Sequence, residues 1–225
     1  MGSGVSPNGK GSGGGKKVAV PEFKEIKNAK SFGDVSKTQL KLKGSKEHKE
    51  LMAQTKTPEW EKAMTSSETN AVEWYTGSAF WDLNQKLREV SDEPLSPTQK
   101  KNLALLDTAL AKTELTEPLA VYRGSGPEML GGASTVGEIK KLIGATVTDS
   151  GFVSSSVSKS GSFDGQIAYK IIVPAGKGHG GYVNNISKHQ NEMEFLMPRN
   201  SSFRITDVKK LGNRPCVIMQ MVTND

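Results

Sequence analysis

The chain has 225 residues, 35% hydrophobic and 24% charged, with a mean hydropathy of −0.48, which suits one large domain with a real but not generous core. No apolar stretch approaches the roughly 18 residues of a membrane span, and a single cysteine, Cys216, cannot form an internal disulfide; with three scattered histidines it gives no zinc-ligand pattern. The net charge of +6 belongs to the first 50 residues, with 11 Lys against 5 acidic residues; the other 19 basic and 19 acidic residues cancel, and without aromatic interleaving a nucleic-acid-binding domain is poorly supported.

Residues 1–17 read as a flexible Gly/Ser/Lys-rich leader, seven of its first fifteen residues being glycine, without the apolar core of a secretory signal. Residues 18–50 form a lysine-rich, weakly periodic segment, expected to be extended or marginal and to dock on a domain spanning 51–225. Thr57-Pro58-Glu59 reads as an N-cap, first-turn proline and acidic first turn, starting a helix to about Thr65. Ala71, Val72, Trp74 and Tyr75, then Phe80, Trp81, Leu83, Leu87 and Val90, mark helical faces on either side of Gly77. Ser96-Pro97 opens a further helix with Leu103, Leu106 and Leu110 on one stripe.

Beyond Pro118 the pattern changes to short strands between Gly, Pro, Asn and Ser turns: 119–122, 145–148, 152–156, 166–173, 181–184, 192–197, 203–208 and 216–222, with one short helix near 136–143. Helices first and strands afterwards predict an α+β domain.

Three motifs in the strand half carry chemistry. In Val121-Tyr122-Arg123-Gly124 an arginine ends an apolar strand, where its guanidinium can grip a diphosphate while the glycine permits close approach. In Gly151-Phe152-Val153-Ser154-Ser155-Ser156, alternation sets Ser154 and Ser156 on one face. In Asn191-Glu192-Met193-Glu194-Phe195-Leu196-Met197, Met193, Phe195 and Met197 face the core, so Glu192 and Glu194 project together on the other side. Two like charges on one strand face repel, and either an ion-pair network or a cationic substrate would compensate them. Phe203-Arg204-Ile205 reads as the strand pairing back on this one.

Taken in order, Tyr122-Arg123, Phe152-Val153-Ser154-Ser155-Ser156 and Glu192-Met193-Glu194 resemble the R-S-E class of mono-ADP-ribosyltransferases, as found in the enzymatic components of binary actin-modifying toxins and phage-encoded transferases. Ser155 stands where the family pattern has threonine. The similarity extends through Tyr75-Thr76-Gly77, Leu83-Asn84 to Arg88, Ile172-Val173-Pro174 and Gly181-Tyr182-Val183, covering about residues 55–210.

The resemblance implies N-terminal helices packed on a two-sheet, β-sandwich-like NAD-binding core. It implies NAD as substrate, with no metal or other cofactor, and transfer of ADP-ribose to an arginine of a target protein, actin or another host protein. Arg123 and Gly124 would hold the dinucleotide, with Ser154 orienting Glu194, which stabilises the ribosyl cation; Glu192 would orient the acceptor guanidinium. The family uses Glu at that position for arginine acceptors. Phe163 would stack on nicotinamide, although Asp164 follows it where some relatives place a basic residue. His189 stands where many relatives carry an acceptor-recognising aromatic, and Tyr75, Asn84 and Arg88 would line the nicotinamide end or pack a helix on the sheet. A monomeric effector is expected, delivered to a host cell or carried by a phage. An NAD glycohydrolase on the same scaffold and a non-catalytic binding module remain as alternatives.

Overall fold

The computed structural model describes residues 23–162 and 164–223, so the expected leader and Phe163 lie outside the described residues. Where weak structure is expected before residue 50, the chain forms β1 (Lys30–Ser31), α1 (Lys37–Lys41) and α2 (Lys46–Thr55). The cause is local: Ser36 and Ser45 each accept a hydrogen bond from the backbone N–H three residues on, and Phe32, Leu40, Leu51 and Met52 anchor the polar segment in the core.

Helix α3 (Thr57–Ala63) carries Pro58 in its first turn as expected, but its cap is Lys56, at φ 44°, and not Thr57, whose hydroxyl bonds Thr55 Oγ1 at 2.7 Å. Helix α4 (Ser66–Trp74) begins with a Thr65–Glu68 capping box and runs through a π-turn (Tyr75–Ala79) into α5 (Phe80–Leu87). The break is Gly77, whose ψ of −106° is not helical. Helix α6 (Pro97–Ala111) has a Ser96–Gln99 capping box.

The strands are β2 (Glu114–Leu115), β3 (Leu119–Ser125), β4 (Thr146–Asp149), β5 (Val153–Ser156), β6 (Ile167–Val173), β7 (Gly176–Lys177), β8 (Gly181–Tyr182), β9 (Glu194–Met197), β10 (Ser201–Leu211) and β11 (Arg214–Val222), with α7 (Val136–Lys140) between β3 and β4. The main sheet has the order β4-β10-β11-β6-β3-β5-β9-β8, with β1 alongside β3. Its two parts meet at one residue pair, Tyr122↔Ser156, whereas β3 and β6 share seven pairs. The sheet therefore folds into a six-strand part, β1 included, and the β5-β9-β8 part, and one core fills the space between them: Val121, Ile171, Phe203 and Met219 from one side, Val153, Phe195 and Met197 from the other. This is the sandwich-like arrangement expected. Burial of each such side chain contributes about 1.5–3 kcal/mol.

A second cluster packs α3, α4, α5 and α6 on the outer face of the smaller part through Trp60, Val72, Tyr75, Leu83, Leu106 and Leu110 against Phe152, Val183 and Leu196. Phe80, Trp81 and Val90, expected on the same apolar faces, stay exposed. The strand expected to pair back on β9 does not. Pro198 ends β9, Arg199 forks onto Asp107 of α6, and Asn200 turns the chain at φ 60°, so β10 crosses to pair with β4 and β11.

Candidate active site

Strand β3 leaves the core at a definite residue. Leu119 to Tyr122 are buried, and Arg123, Gly124 and Ser125 emerge beside a cleft of about 1040 Å³. Arg123 Nη1 donates to the Ser154 carbonyl at 2.7 Å, which ties β3 to β5, while its Nε has no partner among the described residues. Burial, and secondarily the charge of Arg88, push this guanidinium below its ordinary pKa, but arginine stays charged at neutral pH.

Ser154, Glu192, Glu194 and His189 line the same cleft. Glu194 opens β9 opposite Ser156, and its backbone carbonyl accepts from Val183 N at 3.0 Å. Only 5% of the residue is exposed. Burial raises its carboxyl to about 7, with the Glu192 charge adding to the effect and polar contacts to Ser154 and Ser187 opposing it. Glu192 lies two residues before the strand, in a turn where its N–H donates to the His189 carbonyl at 3.0 Å. It is half-exposed, and burial raises its carboxyl too, against the charges of His189 and Lys37. Between the two, Met193 sits at φ 52°, an uncommon conformation for a residue that is not glycine.

The wall opposite is α5. Asn84 is buried at the cleft; its Oδ1 accepts from Phe152 N and its Nδ2 donates to Tyr75 Oη, both at 2.9 Å. Arg88 forks onto Asp149 at 2.7 and 3.0 Å and reaches the Phe152 carbonyl at 3.2 Å. The cleft thus brings together a chelating arginine, a serine and two carboxylates of different burial, a set suited to an anionic ligand that develops positive charge as it reacts.

The family model for ADP-ribosyltransferase exoenzymes matches residues 49–224. The chain belongs to the ADP-ribosyltransferase exoenzyme family. It is therefore an NAD-dependent transferase of ADP-ribose. Among curated relatives, a mono-ADP-ribosyltransferase C3 of a Clostridium botulinum C phage is 28% identical over 178 residues, 71% of this chain and 72% of the relative. An NAD–arginine ADP-ribosyltransferase of Enterococcus faecalis is 26% identical over 172 residues, 70% of this chain but 32% of that larger protein. Among solved structures, the Clostridium limosum C3 exoenzyme matches with a TM-score of 0.69 at 22% identity, covering 87% of this chain and 98% of the other. Plx2a, a toxin from Paenibacillus larvae, gives 0.68 at 23%, covering 86% and 99%. At these identities the structures speak for the fold alone.

Of the residues singled out in the sequence, Arg123, Gly124, Ser154, Asn84, His189, Glu192 and Glu194 meet at the transferase's cleft. Tyr75 does not reach it: the residue is fully buried behind the wall, edge-on to Phe152 with ring centroids 5.2 Å apart, and burial pushes its phenol up to about 12. Sequence reasoning missed Asp149 and Glu128, which line the cleft, and Ser187, which contacts Glu194. Only Asp149 left a trace, as an acidic residue in the Thr148-Asp149-Ser150-Gly151 turn that could answer Arg88. Among the described residues, no helix is long and apolar enough to cross a membrane.

Proposed function

We propose that the transferase moves ADP-ribose from NAD to an arginine of a target protein, and that its target lies in a host cell. The single observation that carries the acceptor class is the second carboxylate. Glu192 opens into the cleft beside Glu194 but is only half-buried, on the turn that holds the exposed His189. Water as acceptor would need no such group. A guanidinium stays protonated in solution, so a positioned carboxylate is needed both to bind it and to take its proton. The Enterococcus relative, an NAD–arginine transferase, supports the same class, as does Tre1 of Serratia proteamaculans, an NAD–protein-arginine transferase 29% identical over 145 residues.

NAD suits these residues. The unpartnered Arg123 Nε is a buried donor that a diphosphate oxygen would satisfy, and Gly124 leaves room for the approach. Asn84, held by its bonds to Tyr75 and Phe152, meets the nicotinamide end. Glu194, oriented by Ser154, faces the nicotinamide ribose. As the glycosidic C–N bond breaks and nicotinamide leaves with the bonding pair, Glu194 in its ionised form offsets the charge developing on the ribose. Glu192 presents the arginine, whose nitrogen bonds to the anomeric carbon while its proton passes to the Glu192 carboxylate. Tyr75 acts from behind as a positioning residue.

Labelled NAD and two acceptors, agmatine and water, test this directly. In Glu192→Gln, transfer to agmatine should fall by about 10²-fold or more while NAD hydrolysis continues. If transfer and hydrolysis fall in parallel, or neither falls, the arginine mechanism is wrong.

A further inference from the structure

Helix α1 lies outside the segment matched by the family model, yet it borders the acceptor end of the cleft. Lys41 Nζ donates to Asn191 Oδ1 at 2.7 Å, next to Glu192 in the chain. Lys37 stands one turn earlier on the same helical face, near enough for its charge to act on Glu192. Lys27, Lys30 and Lys46 of the same basic segment each have a carboxylate partner, whereas Lys37, Lys41 and Lys43 have none within ion-pair distance among the described residues. Leu42, between two of these lysines, is 60% exposed. The helix does not need the charges for its own stability, because Ser36 caps it and Leu40 anchors it.

A surface that presents an arginine to Glu192 meets the 188–192 turn, to which α1 is tied through Lys41. That approach brings a cation towards three unpaired cations. It is favourable when acidic residues flank the arginine, and unfavourable when basic ones do, so the lysines select as well as attract. We propose that α1 with the residues just after it, through Lys37, Lys41, Lys43 and the exposed Leu42, is a docking surface for the acceptor protein, and that it fits an acidic patch beside the target arginine. The inference rests on the arginine-acceptor reading given above.

Three acceptors separate the possibilities: agmatine, a peptide with one arginine between pairs of glutamates, and the same peptide with serines in place of the glutamates. At low salt the wild-type protein should prefer the glutamate-flanked peptide about fivefold in kcat/KM, from two or three exposed charge pairs, and the preference should fade at about 0.5 M salt. The variant Lys43→Glu, which leaves the Lys41–Asn191 bond in place, should remove most of the preference, with agmatine transfer and NAD hydrolysis unchanged. Absence of a preference in the wild type, or its survival in the charge-reversed variant, would overturn the proposal. So would a parallel fall on all three acceptors, since that would mean α1 acts only by holding the Asn191 turn. Failure of the wild type to label any of the three while hydrolysing NAD would bring down the arginine reading itself, and this inference with it.

Discussion

Replacing Glu194 with glutamine should inactivate the transferase and stabilise it in the same step. The native carboxyl titrates at about 7 because burial disfavours its charge, against 4.5 in an open chain. At about 1.4 kcal/mol per pH unit, that difference amounts to about 3 kcal/mol. Between pH 4.5 and about 7 the unfolded chain has lost this proton and the native state still holds it, so native stability falls as pH rises through that window and stays low above it. Glutamine carries no charge at any pH and escapes the loss. Glu194→Gln should therefore be more stable than wild type by about 3 kcal/mol at pH 8, or roughly 6–12 °C in melting temperature for a chain of this size, with little difference at pH 4.5. Urea unfolding of both proteins at the two pH values measures the gain, and NAD consumption should fall by about 10²-fold or more. In the wild type, kcat/KM for NAD should rise with pH and level off above about 7, since the ionised form is the active one. Equal stability at pH 8, or the same difference at both pH values, would refute the assignment of a buried, destabilised carboxylate. Wild-type turnover in the folded variant would refute its role.

Three further substitutions probe how the site is held. Gly161→Ala would set a Cβ 2.5 Å from the Glu192 carbonyl and against Ser156 Oγ; overpacking of this kind costs about 1–3 kcal/mol, and by displacing Glu192 it should reduce agmatine transfer well before NAD hydrolysis. Arg88→Ala would leave Asp149, 7% exposed, without its forked partner, and should cost about 2–3 kcal/mol in urea unfolding, less than a fully buried pair because Arg88 is partly exposed; a change under about 0.5 kcal/mol would count against a structural role. Tyr75→Phe removes the acceptor for Asn84 Nδ2 inside the core, so stability should drop by about 1–3 kcal/mol and KM for NAD should rise, with agmatine and water affected alike.

The strand half of the fold was the more legible. Alternating and continuous apolar runs located β3, β5, β6, β10 and β11 to within a few residues, because each strand buries at least one face in the common core. Helices α1 and α2 escaped because polar residues dominate their composition and only Leu40, Leu51 and Met52 reach the large core; the caps at Ser36 and Ser45 were the readable signal. The partner of β10 was not readable at all. Pairing depends on where the chain goes after Pro198, and that is set by contact between Arg199 and Asp107, 92 positions away in the chain.

The two glutamates line one cleft, as strand alternation predicts, but through a different local geometry. Strand alternation alone put Glu192 and Glu194 on one face, and both do line the cleft, while Met193 and Phe195 lie in the core as that pattern requires. Yet the strand begins only at Glu194, and the left-handed turn at Met193 takes Glu192 out of the ladder. A continuous strand would have given both carboxylates similar burial and like charges at strand spacing, an arrangement that costs stability for each. The turn instead leaves Glu194 sunk among Ser154, Ser187 and Arg123 and Glu192 half-open beside His189 and Lys37. One carboxylate becomes a buried group and the other an accessible one, which suits the ribose and acceptor roles proposed for them. The strain at Met193 is small beside that separation of roles, since a non-glycine residue in this region costs on the order of 1–3 kcal/mol. Hence the residue that sets the two glutamates apart is the one between them, and Met193→Gly, which frees the backbone but also empties a buried core position, should cost about 2–5 kcal/mol of stability and, in the folded protein, weaken agmatine transfer more than NAD hydrolysis. Equal effects on the two rates would show that Glu192 needs no fixed turn to do its work.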